Sequence, residues 1–161
     1  MMDEIEYDYY TTLATLYDTQ DIRQPYLQDT MPSSNAQRIG AIAETRFITE
    51  CLERDFEPHT PTTPMPWDYI VHCPAGDLKV QVKSSSCTVG SCYSVNTGCG
   101  NSTKSHIPNI VDIVAVYLVP INEWWMIPQS EMTCVTLRLY PAHTSKSKYK
   151  KYQNNWSIYY E

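Results

Sequence analysis

The sequence of residues 35–161 predicts an α/β domain in which one long helix precedes a series of β-strands. Up to about residue 54, apolar residues recur every three to four positions, which is the period of a helix with one buried face. After residue 67 the period changes to two, which is typical of half-buried strands. A helix, several strands and a final helix predict a mixed central sheet flanked by helices, around one hydrophobic core.

The long helix is predicted to begin at Ser34 and Asn35, which are good N-cap residues, and to end near Arg54. Because residues three and four apart share a helix face, its apolar positions form one stripe that is expected to be buried. That stripe consists of Ile39, Ala43, Phe47 and Cys51.

The strands follow a segment, 57–66, whose four prolines predict an extended loop. Five strands are predicted, at 68–72, 78–83, 110–119, 123–127 and 135–139. The third is apolar throughout, which indicates burial on both faces. Between the second and third strands, residues 84–105 are rich in Cys, Gly, Ser and Asn and predict a long loop. The basic segment 145–156 is predicted to be helical.

The net charge of −6 lies in one part of the chain. Residues 1–35 contain seven acidic residues and one basic residue, whereas residues 36–161 contain equal numbers of each. We therefore predict an acidic N-terminal arm, 1–34, and a separate domain, 35–161, so the overall acidity does not argue against binding nucleic acid. The arm is interpreted as a solubilising tail, a contact with a basic patch of this or a neighbouring subunit, or a mimic of DNA charge.

Several classes of protein are excluded by composition. The N-terminal residues show neither the basic nor the apolar region of a secretory signal, and no apolar run approaches the roughly 20 residues that span a membrane. We therefore expect a cytoplasmic protein that is neither secreted nor bound to a membrane. The six cysteines are too few for a disulfide scaffold. Cys87, Cys92 and Cys99, near His106, offer a zinc site as an alternative to a loop that merely contains cysteines, but they lack a C-x2-C pair.

Four polar side chains are expected to meet at one place. Glu44 lies on the same helix stripe as Phe47, and a carboxylate turned toward the interior needs a partner or a cation. Lys83 and Gln81 share one face of their strand. If the preceding turn is centred on residues 75–76, Asp68 stands directly across from Lys83. Two acids, an amide and a lysine together predict a divalent-metal site. Taken singly, each is more often an ordinary helix acid, strand cap or residue of a solvated strand face.

The order and spacing of these residues resemble the PD-(D/E)XK nuclease superfamily. The motifs are Glu44, then Pro66-Trp-Asp68, then Gln81-Val-Lys83. The wider string from Asn35 to Ser85, and Val111 to Pro128 after it, is similar to the homing endonucleases of cyanobacterial group I introns. Two departures are evident: Gln81 stands where the superfamily usually has a second acid, and Trp67 separates the proline from Asp68.

This resemblance implies a restriction-endonuclease-like core and hydrolysis of DNA phosphodiester bonds with Mg²⁺, which Mn²⁺ would replace. It implies that Asp68 and the backbone carbonyl of Val82 bind the metal, that Glu44 and Gln81 complete the site, and that Lys83 activates the attacking water. Oxygen ligands of this kind suit Mg²⁺, which retains much of its water.

DNA contacts are expected from two regions and from several subunits. The resemblance implies sequence-specific binding of double-stranded DNA by a homo-oligomer, a dimer or a tetramer. The candidates flanking the site are Ser84, Ser85, Lys104 and His106. The candidates in the basic segment are Lys146, Lys148, Lys150 and Lys151, where lysines outside and aromatics packed inside are compatible.

Two other functions remain open on the sequence. One is another nuclease of the same fold, such as a Holliday-junction resolvase or a repair nuclease, which would prefer branched DNA. The other is a catalytically inactive DNA-binding or regulatory module, because Gln81 removes one negative charge from the expected metal site.

Overall fold

The structure is a computed structural model, and it describes residues 36–98, 110–142 and 147–161. One long helix, α1 (Ala36–Leu52), begins the described part of the chain. Its buried residues are Ala43, Phe47 and Cys51, which confirms three of the four positions of the predicted stripe, while Ile39 is half-buried. The helix ends because Asp55 takes a left-handed conformation, with φ of 59°, while the N–H of Phe56 bonds back to the carbonyl of Cys51 at 3.0 Å.

In the ranges that the structure describes, eight strands follow and form two sheets. A five-stranded sheet has the order β1-β2-β3-β6-β7, in which β3 and β6 are parallel and all other neighbours are antiparallel. A three-stranded antiparallel sheet has the order β4-β5-β8. The strands are β1 (Glu57–His59), β2 (Tyr69–Cys73), β3 (Gly76–Ser85), β4 (Thr88–Val89), β5 (Cys92–Asn96), β6 (Ile113–Leu118), β7 (Glu123–Pro128) and β8 (Thr136–Leu139).

The register of the β2–β3 hairpin differs from the prediction by two residues. Cys73 pairs with Gly76, so the turn is centred on residues 74–75, and continuing the pairing places Asp68 opposite Gln81 instead of Lys83. Pro74 suits the first central position of this turn through its fixed φ, and Gly76 follows with a φ of 109° that favours glycine. Because side chains alternate with a period of two, a shift of two residues keeps the predicted residues on one face.

The central sheet separates two apolar clusters. On the helix side, Phe47 packs among Tyr69, Trp124 and Trp156, with ring centroids 5.5 to 6.0 Å apart. On the other side, Trp125 packs with side chains of the three-stranded sheet. All six residues of β6 are buried, which confirms its predicted burial on both faces. The predicted strands at 68–72, 78–83, 110–119 and 123–127 are thus confirmed as β2, β3, β6 and β7.

Three other segments differ from the prediction. The segment 57–66 contributes strand β1, whose Pro58 is tolerated because β1 lies at the sheet edge. The predicted loop 84–105 contains β4 and β5, and the fifth predicted strand, β8, pairs with β5 and not with the central sheet. Over 147–161 the chain forms only two short 3₁₀ turns, Lys150–Tyr152 and Ser157–Tyr159, in place of the predicted final helix. The arm 1–34, residues 99–105 of the predicted long loop and residues 145–146 of the basic segment lie outside the described residues.

Within the described ranges, no helix has both the length and the apolar character that a bilayer span requires.

Candidate active site

Asp68 is held in place by strand β3. It directly precedes β2, and its backbone N–H donates to the carbonyl of Val80 at 2.9 Å. Its side-chain Oδ2 accepts two hydrogen bonds, from the backbone N–H of Val82 at 2.7 Å and from Nε2 of Gln81 at 2.5 Å. With Oδ2 held in this way, the carboxylate has a fixed orientation and its second oxygen, Oδ1, is the one left for a ligand.

Gln81 takes the position opposite Asp68 and is buried, with 9% of its surface exposed. Its amide nitrogen, and not its oxygen, faces Asp68, and the same nitrogen lies 3.5 Å from the carbonyl of Val82. Where a carboxylate would repel Asp68, this amide donates a hydrogen bond to it. To offer its oxygen to a metal, as the resemblance implies, the amide would have to rotate by half a turn.

Glu44 and Lys83 complete the charged group. Burial, then the negative charge of Asp68, raises the pKa of Glu44, whereas Lys83 lowers it. Burial raises the pKa of Asp68, against the opposing effects of the Val82 N–H, Lys83 and Gln81. Glu44 from α1, Asp68 just before β2 and Lys83 from β3 therefore lie within electrostatic reach of one another, with Gln81 bonded to Asp68. Glu44 as a whole residue is nevertheless exposed, and only its carboxyl group is partly withdrawn from water. The prediction that it faces the interior was therefore wrong, and it lies on the flank of the buried stripe.

The donor set fits a divalent cation that prefers oxygen. In the described ranges Lys83 is the one lysine that lowers the pKa of both carboxyl groups, and a bound cation would relieve the repulsion by Asp68 that raises the pKa of Glu44. Within the described ranges no three Asp, Glu, His or Cys side chains form a metal-binding group. A cation here would therefore be held by Asp68, Glu44, the backbone carbonyl of Val82 and water, a sparse set of the kind that Mg²⁺ accepts.

The serines that were predicted to contact DNA differ in their surroundings. Ser84 is half-buried near the end of β3. Ser85 is buried, and its hydroxyl donates to the carbonyl of Ser94 at 2.6 Å and accepts from the N–H of Cys87 at 3.1 Å. The Ser85 hydroxyl therefore joins β3 to β5. Lys104, His106 and Lys146 lie outside the described residues.

The remaining basic candidates contact partners that lie away from the candidate active site. Lys148 donates to the backbone carbonyl of Glu131 at 2.6 Å, and its ammonium lies 3.8 Å from the Glu131 carboxylate. Lys151 lies 3.5 Å from the other oxygen of that carboxylate. Lys150 donates to the carbonyl of Pro141 at 2.6 Å and to the side chain of Gln153. The structure thus gathers these three lysines around Glu131 and Pro141, and not around Asp68.

Two aromatic contacts beside the site were not predicted. Tyr69 is buried, and burial, followed by the charges of Glu44 and Asp68, raises its pKa to about 12, so its hydroxyl stays protonated. The ammonium of Lys79 lies 5.0 Å from the centroid of the Trp67 ring. The alternation that placed Gln81 and Lys83 on one face also includes Lys79, but the position of Trp67 depends on the irregular chain before β2.

The cysteines of the alternative zinc site do not share a contact in the described part of the chain. Cys87 is exposed, and the thiol of Cys92 donates to the carbonyl of Val89 at 3.1 Å. Cys99 and His106 lie outside the described residues.

Comparison with known proteins agrees with this geometry. A family model described as PD-(D/E)XK endonuclease matches residues 34–159. The solved structure of a bacterial homing endonuclease, I-Ssp6803I, superimposes with a TM-score of 0.67 at 20% identity, over 81% of this chain and 93% of that chain. At this identity the likeness establishes the fold, and it confirms the predicted fold class. No curated protein matches the chain. Because the family model spans most of the sequence, the chain belongs to the PD-(D/E)XK endonuclease family.

Proposed function

We propose that this protein is a Mg²⁺-dependent endonuclease that cuts double-stranded DNA at a specific sequence, most like a homing endonuclease. The observation that carries the proposal is the carboxylate of Asp68, fixed by Val82 and Gln81 and lying within electrostatic reach of Lys83 and Glu44. Membership of an endonuclease family and the fold shared with a homing endonuclease support it.

Each residue of the site has a role in this proposal. Asp68 and the Val82 carbonyl would hold the cation, with Glu44 on its other side. A bound divalent cation supplies a Lewis acid and lowers the pKa of coordinated water. Lys83 positions the attacking water and stabilises the negative charge that develops on the phosphate. The Val82 N–H and the Gln81 amide keep Asp68 in place, so that little reorganisation is needed during the reaction.

Mg²⁺ is the proposed ion, with Mn²⁺ as a functional substitute, since both are hard cations that take oxygen ligands. A homo-oligomer, a dimer or a tetramer, is proposed because one small domain touches too few bases to read a long site. The cytoplasm is the proposed location. We also propose that residues 1–34 form an arm separate from the domain, because the family model begins at residue 34.

The test is cleavage by the purified full chain. A pool of duplex DNA is incubated with Mg²⁺, with Mn²⁺ or with EDTA, and the ends of any cut molecules are sequenced. We expect one recurrent site, cut with either ion and left intact in EDTA. Cuts at unrelated positions would exclude sequence specificity, and cutting in EDTA would exclude the metal. Light scattering of the same preparation would show an oligomer, and a monomeric mass would contradict that part of the proposal.

Two outcomes would favour the other functions. Faster cutting of four-way junctions than of linear duplex at equal concentration would indicate a junction resolvase. A gel shift with duplex DNA in the absence of any cleavage would indicate an inactive DNA-binding module.

A further inference from the structure

Lys79 lies on the same face of β3 as the candidate active site. Val80 and Val82 belong to the helix-side core, so the alternating residues Lys79, Gln81 and Lys83 point to the opposite face. At about 3.3 Å per residue, the Cα of Lys79 is about 7 Å from that of Gln81 and about 13 Å from that of Lys83. The site therefore has a lysine on each side of Gln81 along one strand.

The side chain of Lys79 rests on a rigid aromatic ring. Its ammonium is 5.0 Å from the centroid of Trp67, which is only 8% exposed and belongs to the apolar cluster around Trp125. Among the described residues, the indole N–H of Trp67 has no hydrogen-bond partner. A hydrogen bond therefore does not explain a tryptophan at this position, whereas the face of a tryptophan ring attracts a cation more strongly than any other side-chain ring.

The backbone of Lys79 is fixed as well. Its N–H donates to Oδ2 of Asp112 at 2.8 Å, and its carbonyl accepts from the N–H of Asp112 at 2.9 Å. The Asp112 carboxylate thus engages the main chain of Lys79 and not its ammonium. The backbone of Lys79 and its ammonium group are therefore both restrained before any ligand binds.

The charge of Lys79 is not neutralised by a carboxylate in the described ranges of the chain. Lys148 and Lys151 share the carboxylate of Glu131, and Arg54 pairs with Glu50 at 2.8 Å. Lys79 makes no ion pair with any described residue. A half-buried cation held by an aromatic ring, with no anion of its own, is arranged to receive an anion from outside the protein.

We propose that Lys79, seated on Trp67, binds a phosphate of the DNA backbone near the one that is cut. This inference rests on the proposed function and adds a DNA-positioning residue to it. With Lys83 at the reacting phosphate, the Cα–Cα span of about 13 Å places Lys79 at another phosphate of the same substrate. Trp67 lowers the entropic cost of binding because the lysine is ordered beforehand.

The test compares Lys79→Gln with Arg38→Gln in the full chain. Arg38 is an exposed cation on the outer face of α1, so both variants lose one positive charge. Affinity for a duplex oligonucleotide is measured in EDTA over a range of salt concentrations. For Lys79→Gln we expect about tenfold weaker binding and a salt dependence, log K against log salt, shallower by about one. Arg38→Gln should match the wild type in both.

Two Trp67 variants separate the ring from the charge. Trp67→Leu keeps the lysine and removes the ring, so the salt dependence should be unchanged while affinity falls about two- to fivefold. Trp67→Phe, which retains a ring and breaks no hydrogen bond, should bind nearly as the wild type does. Thermal unfolding shows whether each variant is folded. If Trp67→Leu does not fold, Trp67→Phe and Lys79→Gln still test the proposal.

The possible failures are distinguishable. If the wild type binds DNA with a strong salt dependence and Lys79→Gln has the same slope and affinity, the role of Lys79 is overturned while the proposed function stands. If the wild type shows no salt-dependent binding, the proposed function fails and this inference fails with it. At saturating DNA, a single-turnover cleavage rate of Lys79→Gln near the wild-type rate is expected, because Lys79 positions DNA. A loss comparable to that of Lys83→Gln would also overturn the assignment.

Discussion

The amide of Gln81 donates a hydrogen bond to Oδ2 of Asp68 across the start of the β2–β3 pairing, at 2.5 Å. Together with the Val82 N–H at 2.7 Å, it holds one carboxylate oxygen and leaves the other for a cation. Gln81 therefore stabilises the charged form of Asp68, whereas a second acid at that position would oppose it.

Replacing Gln81 with Glu should strengthen metal binding and lower the stability of the metal-free protein. The carboxylate would lose the hydrogen bond to Asp68 and add a like charge beside it, which lowers stability in EDTA. The same charge would attract a divalent cation. We expect a lower melting temperature than the wild type in EDTA and a larger rise on adding Mg²⁺, measured by thermal unfolding. Equal Mg²⁺-induced shifts in the two proteins would show that position 81 does not face the cation.

Asp68→Asn and Lys83→Gln should each reduce cleavage by roughly 100-fold or more while leaving the fold intact. The asparagine oxygen can still accept from Val82 and Gln81, so the change removes charge and little else. Asp77→Asn is a matched control on the same hairpin. Asp77 is exposed and pairs with His72 at 2.7 Å, next to the turn and at the end of the hairpin away from Asp68. Initial rates on the cleaved duplex measure the effect. Wild-type rates in either site variant would exclude the proposed site.

The free energy of unfolding should depend on pH through the carboxyl groups of Asp68 and Glu44. Their pKa values are raised in the folded state, by burial first and, for Glu44, by Asp68 next. Between the ordinary and the raised values the folded chain binds more protons than the unfolded chain, so these groups stabilise the fold at acid pH and this contribution is lost as pH rises through the raised values.

Urea unfolding in EDTA, from about pH 4 to 7, isolates this contribution as the difference between the wild type and Asp68→Asn. The wild type should lose stability relative to the variant as pH rises, and Mg²⁺ should reduce the loss. A difference of the opposite sign would mean that Asp68 is stabilised in its charged form.

Neutralising Glu131 should increase DNA binding. Its carboxylate lies 3.8 Å from Lys148 and 3.5 Å from Lys151, so it competes with phosphate for both lysines. For Glu131→Gln we expect tighter binding and a salt dependence steeper by about one to two. Glu53→Gln, an exposed acid at the end of α1, makes the same change in net charge and should have a smaller effect. Equal effects of the two variants would indicate that these lysines do not contact DNA.

Trp156 should be essential for stability. It is 8% exposed, stacks on Phe47 with centroids 6.0 Å apart, and lies 4.3 Å under the guanidinium of Arg54. Trp156→Ala should reduce the free energy of unfolding by about 3–5 kcal/mol, since it leaves a large cavity. Ser157→Ala, at the exposed neighbouring position, should change it by less than about 0.5 kcal/mol. Urea unfolding distinguishes the two, and similar small values would show that the C-terminal segment is not part of the core.

The elements with a regular apolar pattern were predictable from the sequence. The stripe through Phe47 fixes which face of α1 is buried, and the alternation from Lys79 to Lys83 fixes the two faces of β3. The grouping of Glu44, Asp68, Gln81 and Lys83 was predicted from their order in the chain and from the alternation of side chains along the strands. A register error of two residues does not change which face a side chain is on.

What was not predictable depends on distant contacts. Pairing of β5 with β8 brings Val95 against Leu137, and nothing local to 84–105 indicates it. The irregular course of 147–161 arises because Trp156 and Tyr159 fill the helix-side core and Gln153 bridges to Trp125, which outweighs the helical tendency of the lysines. The hydrogen bonds of Glu131 with Lys148 likewise follow from that course.

The helix-side core is built from both ends of the described chain, with Phe47 from α1 and Trp156 and Tyr159 from the last residues. On the ribosome, Phe47 emerges shortly before Tyr69 but more than a hundred residues before Trp156 and Tyr159. The apolar stripe of α1 is therefore only partly covered until Trp156 and Tyr159 have left the exit tunnel, and completion of this core waits for them.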